Sequence, residues 1–346
     1  MTDKTYFGWQ TEPHDRSNPD KRVNLKFFAT VLVGGAVWTL ASGCAVLTQP
    51  QVEAVKTFAA AAERYGTLPG EPIRTYAVVD RVDRLLIVSA RDFSQPQARE
   101  RSWQEMEEAN RASAAFEQIA GQADRTLEVL STYARLLAVL ASDRFIDSLD
   151  ANARSLARAL DAAIQRYNEG VRAPLGTPPL PACGDAIAAV VRGGGGVWIR
   201  HQQVRRLRAC LTTAQPVIAG LDADVGRFMT NRVLADLGDL EARLRSDFEI
   251  AAGRRQALPL ATLMAVADAR ERLGRARQLC RSIASTAAKF SAAHAKLAEA
   301  VADRQGWGTE LTELSALVKE LQEARHLLGS AGDWGPAWRI IERVFG

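Results

Sequence analysis

Phe116, Ile119, Ala123, Leu130, Tyr133, Leu137 and Leu140 step along the chain by three and four, with Thr126 the one interruption. That spacing lays a single apolar stripe along one flank of an α-helix and requires a partner helix to bury it. A strand cannot use it, because successive strand side chains face opposite ways. Joined to residues 99–115, the stripe predicts one helix of roughly 45 residues, about 65 Å long.

The same pattern recurs along the chain. Residues 51–65 read as a short helix stopped by Gly66 to Gly70, and 73–90 as a second, with Pro96 breaking it or starting its successor. After Ser142 and Asp143, Leu149, Leu156, Leu160, Ala163 and Tyr167 continue a stripe up to Gly170. Ile218, Leu221, Val225, Phe228, Leu237, Leu240, Leu244 and Phe248 form another. Beyond a turn near Pro259, a further stripe runs from Leu263 through Leu273 and Phe290 to Leu297 and Val301. Leu311, Leu314, Leu317, Leu321 and Leu328 close the series. Aromatic residues make up only 7% of the chain, which suits helices packed through aliphatic and small side chains better than sheets. The fold class expected is all-α, an elongated antiparallel helical bundle with long coiled-coil-like helices.

Four prolines between residues 173 and 181 exclude a helix there. The organisation expected is a leader at 1–43, an N-terminal helical part at 44–170, a proline-rich linker at 171–182 and a C-terminal helical part at 183–346. The two helical parts then pack into one bundle.

Before the first of these helices stands a basic stretch with Lys21, Arg22 and Lys26, then an uncharged apolar run from Phe27 to Leu40, then Ala41, Ser42, Gly43 and Cys44. Charged, apolar and small-residue regions in that order make a secretory signal. The ending resembles the lipobox of bacterial lipoproteins, with Ala41 where the family more often has leucine. The resemblance covers the leader and Cys44 only. It implies cleavage after Gly43, lipidation (palmitate among the acyl chains) of Cys44, and a chain held on the cell envelope facing the periplasm. Alanine rather than aspartate at position 45 leans toward the outer membrane. The alternative is an uncleaved membrane anchor, since no charge occurs between Lys26 and Glu53. The leader carries five basic and four acidic residues, so its removal takes the net charge from +4 to +3. So mild a charge, in that compartment, points away from nucleic acid.

Three cysteines remain after Cys44, and an exported protein usually pairs its thiols. Cys280 lies in register with an apolar stripe and reads as a small buried hydrophobe. Cys183 and Cys210 are left as the candidate disulfide. In one straight helix their sulfurs would stand about 40 Å apart, so they can bond only if the chain turns back between them. Gly193 to Gly196 could make that turn. It could equally form a smooth helix face for close packing, or the tip of a segment that changes shape or meets a bilayer. Just beyond, Arg200, Arg205, Arg206 and Arg208 form the densest basic patch, a candidate contact for lipid phosphates or an acidic partner. The plainer reading is a solvated face paired with Asp222, Asp224 or Asp236.

Nothing in the sequence nominates catalysis, a cofactor or a metal. No His/Glu pair has metal-binding helical spacing, and there is no Gly-x-Ser-x-Gly elbow. His294 reads as a packed or hydrogen-bonded bundle residue, while His201 and His326 lack nearby ligand partners. Trp334, Trp338, Ile341 and Phe345 put apolar groups on one side of a short amphipathic end, which packs across the bundle or sits on a membrane. The function expected is a non-enzymatic, membrane-tethered scaffold or protein-interaction module with an envelope protein partner, or a homo-oligomer built through its stripes. The alternative is a membrane-acting protein, like a pore-former or exclusion factor, using the segment near 180–199.

Overall fold

A computed structural model describes residues 47–91, 93–141, 149–173, 176–192, 199–254, 258–302 and 307–328. Every regular element among them is helical, so the protein is all-α. Helix α1, Gln49–Tyr65, opens where the backbone N–H of Thr48 donates to Gln51 Oε1 at 2.8 Å. Pro50 occupies its first turn, where a missing N–H costs nothing. Helix α2, Gly70–Ser89, starts against Asp124 of α3, Pro96–Thr126. That carboxylate accepts from the Gly70 N–H at 2.9 Å and from Arg74 Nη2 at 2.5 Å, so it satisfies an orphan donor at a helix start.

The single long rod expected across 99–140 is two helices. Leu127 leaves helical geometry (φ −91°, ψ 7°), and α4 runs from Glu128 to Leu140. The cause lies outside the segment. Helix α3 lies along α2, whereas α4 packs on α1, and Leu127 is buried where the chain passes from α1 to α2. A β-carbon on Gly66, in that junction, would touch the Leu127 carbonyl oxygen at 3.5 Å. Burial follows the step: Ile119 in α3 is exposed, while Leu130, Tyr133, Leu137 and Leu140 in α4 are buried.

Helix α5, Leu149–Tyr167, packs on α4 and ends in a wider π-helical turn, Asn168–Arg172. The proline-rich stretch is non-helical where described, and it is strapped down. Asn168 both donates to and accepts from the backbone of Leu180, at 2.9 and 2.7 Å. Arg172 Nη1 donates to the Pro178 carbonyl, and Gly176 takes a left-handed φ of 64°. Helix α6, Gly184–Arg192, is capped by a residue of α5: the Asp161 carboxylate accepts from the N–H groups of Cys183, Gly184 and Asp185 at 3.0, 2.6 and 3.0 Å. Gly184 is needed there, because a β-carbon would overlap the Ala157 carbonyl oxygen.

Helix α7, Ile199–Arg227, continues through a π-helical turn, Phe228–Val233, into α8, Leu234–Arg254. Helix α9, Leu260–Ala302, returns antiparallel along both, and α10, Trp307–Leu328, packs back on α9. The π turn corrects the expected stripe. By widening the helix it carries the buried sequence from Val225 to Met229, Val233 and Leu237 in steps of four, and turns Phe228 outward.

One hydrophobic core runs from Leu47 to Ala324. Ring contacts fix how α1 lies on α9: Phe58 meets Phe290 at 4.6 Å and His294 at 5.5 Å, while Tyr65 meets Phe290 at 5.6 Å. Later residues of α1 thus meet earlier ones of α9. The chain therefore enters the bundle at the end where α9 stops and α10 begins, here called the near end. Asp80 pairs with Arg243 and Asp83 with Asp247, so α2 runs alongside α8 in the same direction. The turns after Ser89 and Arg254 therefore share the opposite, far end. At 1.5 Å per residue, α9 separates the two ends by about 60 Å.

Candidate interaction surface

Among the described residues, the near half is closed around a buried polar cluster. Tyr133 Oη and His294 Nε2 stand 2.7 Å apart, and His294 Nδ1 meets Gln215 Oε1. With Gln215 accepting, Nδ1 carries the proton and Nε2 accepts from the tyrosine. Burial pushes His294 down to about 3, so the ring is neutral and structural. Beside it, Asp224 accepts from Tyr167 Oη at 2.9 Å, Arg172 Nε at 2.7 Å and Arg227 Nη2 at 2.5 Å. Burial works against that carboxylate's charge, but the three donors outweigh it and hold its pKa below the ordinary value. Asp222, two residues earlier, is buried without a hydrogen bond, and burial raises its pKa well above the ordinary 3.8.

Cys183, Cys210 and Cys280 are buried free thiols. Burial pushes Cys183 and Cys280 up to about 12 and raises Cys210 too, with the charge of Cys183 adding to the rise. Cys183 and Cys210 are thus core neighbours, and α6 packs against α7. The basic patch does not share one face: Arg205 and Arg208 are exposed, whereas Arg206 is buried. The side chain of Arg200 lies outside the description. The acids expected to balance the patch are engaged otherwise, Asp224 as above and Asp236 with Arg232 at 3.2 Å. Ala41, Ser42, Gly43, Cys44, Ala45, residues 193–198 and the C-terminal residues 329–346 also lie outside the described residues. Among the described residues no group of three His, Cys, Asp or Glu could hold a metal. None of their helices is long and apolar enough to cross a membrane.

The far half differs in kind. Between α2 and α8, Asp80 and Asp83 are buried, with Arg84 and Arg243 reaching Asp80 from the surface at 2.7 and 2.6 Å. Burial, with the nearby Asp247 charge, lifts Asp83 to about 6. At the tip, large apolar side chains stand in solvent: Leu260 is 72% exposed, Met264 65%, Phe93 42%, and Ile250 and Leu263 41% each. Next to them a groove of about 790 Å³ opens between α8 and α9, lined by Leu244, Phe248, Leu263 and Val266 with Glu241, Arg245 and Arg270 at its rim. An end that exposes several large apolar groups around a groove has the composition of a contact surface. Sequence reasoning missed it, because Leu263 sits in a helical stripe and reads as core. The signal available was Leu260 and Met264 flanking that stripe beside Pro259.

No protein-family model, curated protein or solved structure matches this chain.

Proposed function

We propose that this chain is tethered to a bacterial envelope membrane through acylated Cys44. From there it acts as a non-enzymatic helical scaffold that offers its far end to a protein partner. The observation that carries this reading is the placement of the largest group of exposed apolar side chains, Val78, Trp103, Ile119 and Phe228 standing elsewhere along the helices. Phe93, Ile250, Leu260, Leu263 and Met264 gather at the end opposite the one where the chain enters the bundle. A tether at the near end would hold that tip about 60 Å away, beyond the headgroups of its own membrane. The lipobox resemblance supplies the anchor, and several acyl chains hold far more firmly than one. The membrane-acting alternative has less behind it, since Leu180, Cys183 and Ile187 are packed in the core and would have to leave it.

Intact mass of the membrane-extracted protein tests the anchor. A chain beginning at Cys44 plus acyl groups, with Cys44→Ser released from the membrane, is the expected result. A chain beginning near Met1 without lipid contradicts it. Liposome leakage by the mature protein would favour the alternative.

A further inference from the structure

We propose that the apolar start of α9 is covered, in the free protein, by the chain's own C-terminal segment 334–345. The inference rests on the reading of the far end as a docking surface and adds its regulation: a partner must displace this segment.

The path of α10 leads there. Lys289 of α9 pairs with Glu320 of α10, which places α10 on the Lys289 flank of α9. Met264 lies twenty-five positions earlier, about seven whole turns at 3.6 residues each, so it shares that flank. Leu260 and Leu263 stand one turn and one residue from it on the same apolar strip, and Leu263 also lines the groove. The two helices are antiparallel, so Leu328, eight residues past Glu320, is level with residue 281.

The remaining chain matches what lies ahead. Level with 271–278 the α9 surface is polar and partly self-paired, Arg275 with Glu271 and Arg272 with Asp268. Gly329, Ser330, Ala331, Gly332 and Asp333 are a short polar run. Extended at about 3.3 Å per residue, these five cover about 16 Å and reach the level of residue 270. The next twelve residues, 334–345, would span about 18 Å as a helix, enough to cover the roughly 15 Å from there to Leu260. Trp334, Trp338, Ile341 and Phe345 recur at four, three and four, one apolar face for an apolar strip.

The test uses the full chain carrying Cys44→Ser, Met264→Cys and Ile341→Cys, oxidised at low concentration and mapped by peptide mass. The three native thiols of the bundle are buried and do not compete. The expected product is an intramolecular 264–341 disulfide, absent when Ala292→Cys, exposed further up α9, replaces Met264→Cys. A bond formed only between two chains would show that a second copy covers the strip, and no bond would show an open strip. Either result overturns the proposal. Hydrogen exchange gives an independent reading: Trp338→Asp with Ile341→Asp should speed exchange over 262–268 several-fold, and unchanged exchange overturns it. Neither measurement involves the membrane anchor or a partner, so failure here leaves the scaffold reading to its own tests.

Discussion

The near and far halves of this bundle are made from similar stripes, yet they bury them to different depths. In the near half, α1, α4, α5, α6, α7, α10 and the end of α9 surround a core in which Phe58, Tyr133, Phe290 and His294 are sealed. In the far half, α2, α3, α8 and the start of α9 have fewer neighbours, and apolar positions of the same spacing face water. An apolar stripe thus predicts burial only where a partner helix reaches it. Among the described residues, the far half is where the helices of the bundle leave such a stripe without a partner helix.

The difference can be broken by mutation, and the largest effects belong to the near half. Phe290→Ala removes a ring packed against Phe58 and Tyr65 and should cost about 3–5 kcal/mol in denaturant unfolding. A loss under about 1 kcal/mol would mean that this core is loose. Asp224→Ala removes the buried acceptor shared by Tyr167, Arg172 and Arg227 and should cost on the order of 3 kcal/mol.

The halves should also respond oppositely to acid. His294 is neutral when folded and takes a proton more readily when unfolded, so its contribution is complete above about pH 6.5. It is lost as pH falls toward about 3, and His294→Gln should flatten that slope. Asp83 has the opposite sign. Its folded pKa of about 6 exceeds the ordinary 3.8, so the folded state holds the extra proton and stability falls as pH rises through that window. Asp83→Asn should remove the fall and raise stability at neutral pH by on the order of 1–2 kcal/mol. A pH–stability profile of the two variants beside the parent checks both signs.

The smallest effect is expected at the tip. Leu260→Ser with Met264→Ser should lower unfolding free energy by about 1 kcal/mol or less, because both side chains lie outside the bundle core and lose only the cover of segment 334–345. A large loss would show the strip to be structural.

Helix type and many boundaries were legible in the sequence, because Gly66, Pro96 and the proline-rich stretch are local signals acting where they stand. The break at Leu127 was not. No glycine or proline marks it, and it arises where a distant junction, α1 to α2, redirects the packing. The π turn at Phe228–Val233 was equally hidden, since a fixed 3.6-residue period cannot anticipate a widened turn. Of the site residues, Arg206 was counted as surface because charge ordinarily stays in water, and it is buried. The buried carboxylates Asp80, Asp83 and Asp222 were unreadable for the same reason.

The most direct measurement places a photoreactive residue at Phe93, on the far end, or at Glu299, on the near end, in the full-length chain. Irradiation in cells should yield a discrete adduct from Phe93 that Ile250→Ser weakens, and none from Glu299. An adduct from Glu299 alone, or equal adducts from both, would contradict the proposal that the far end is the working surface.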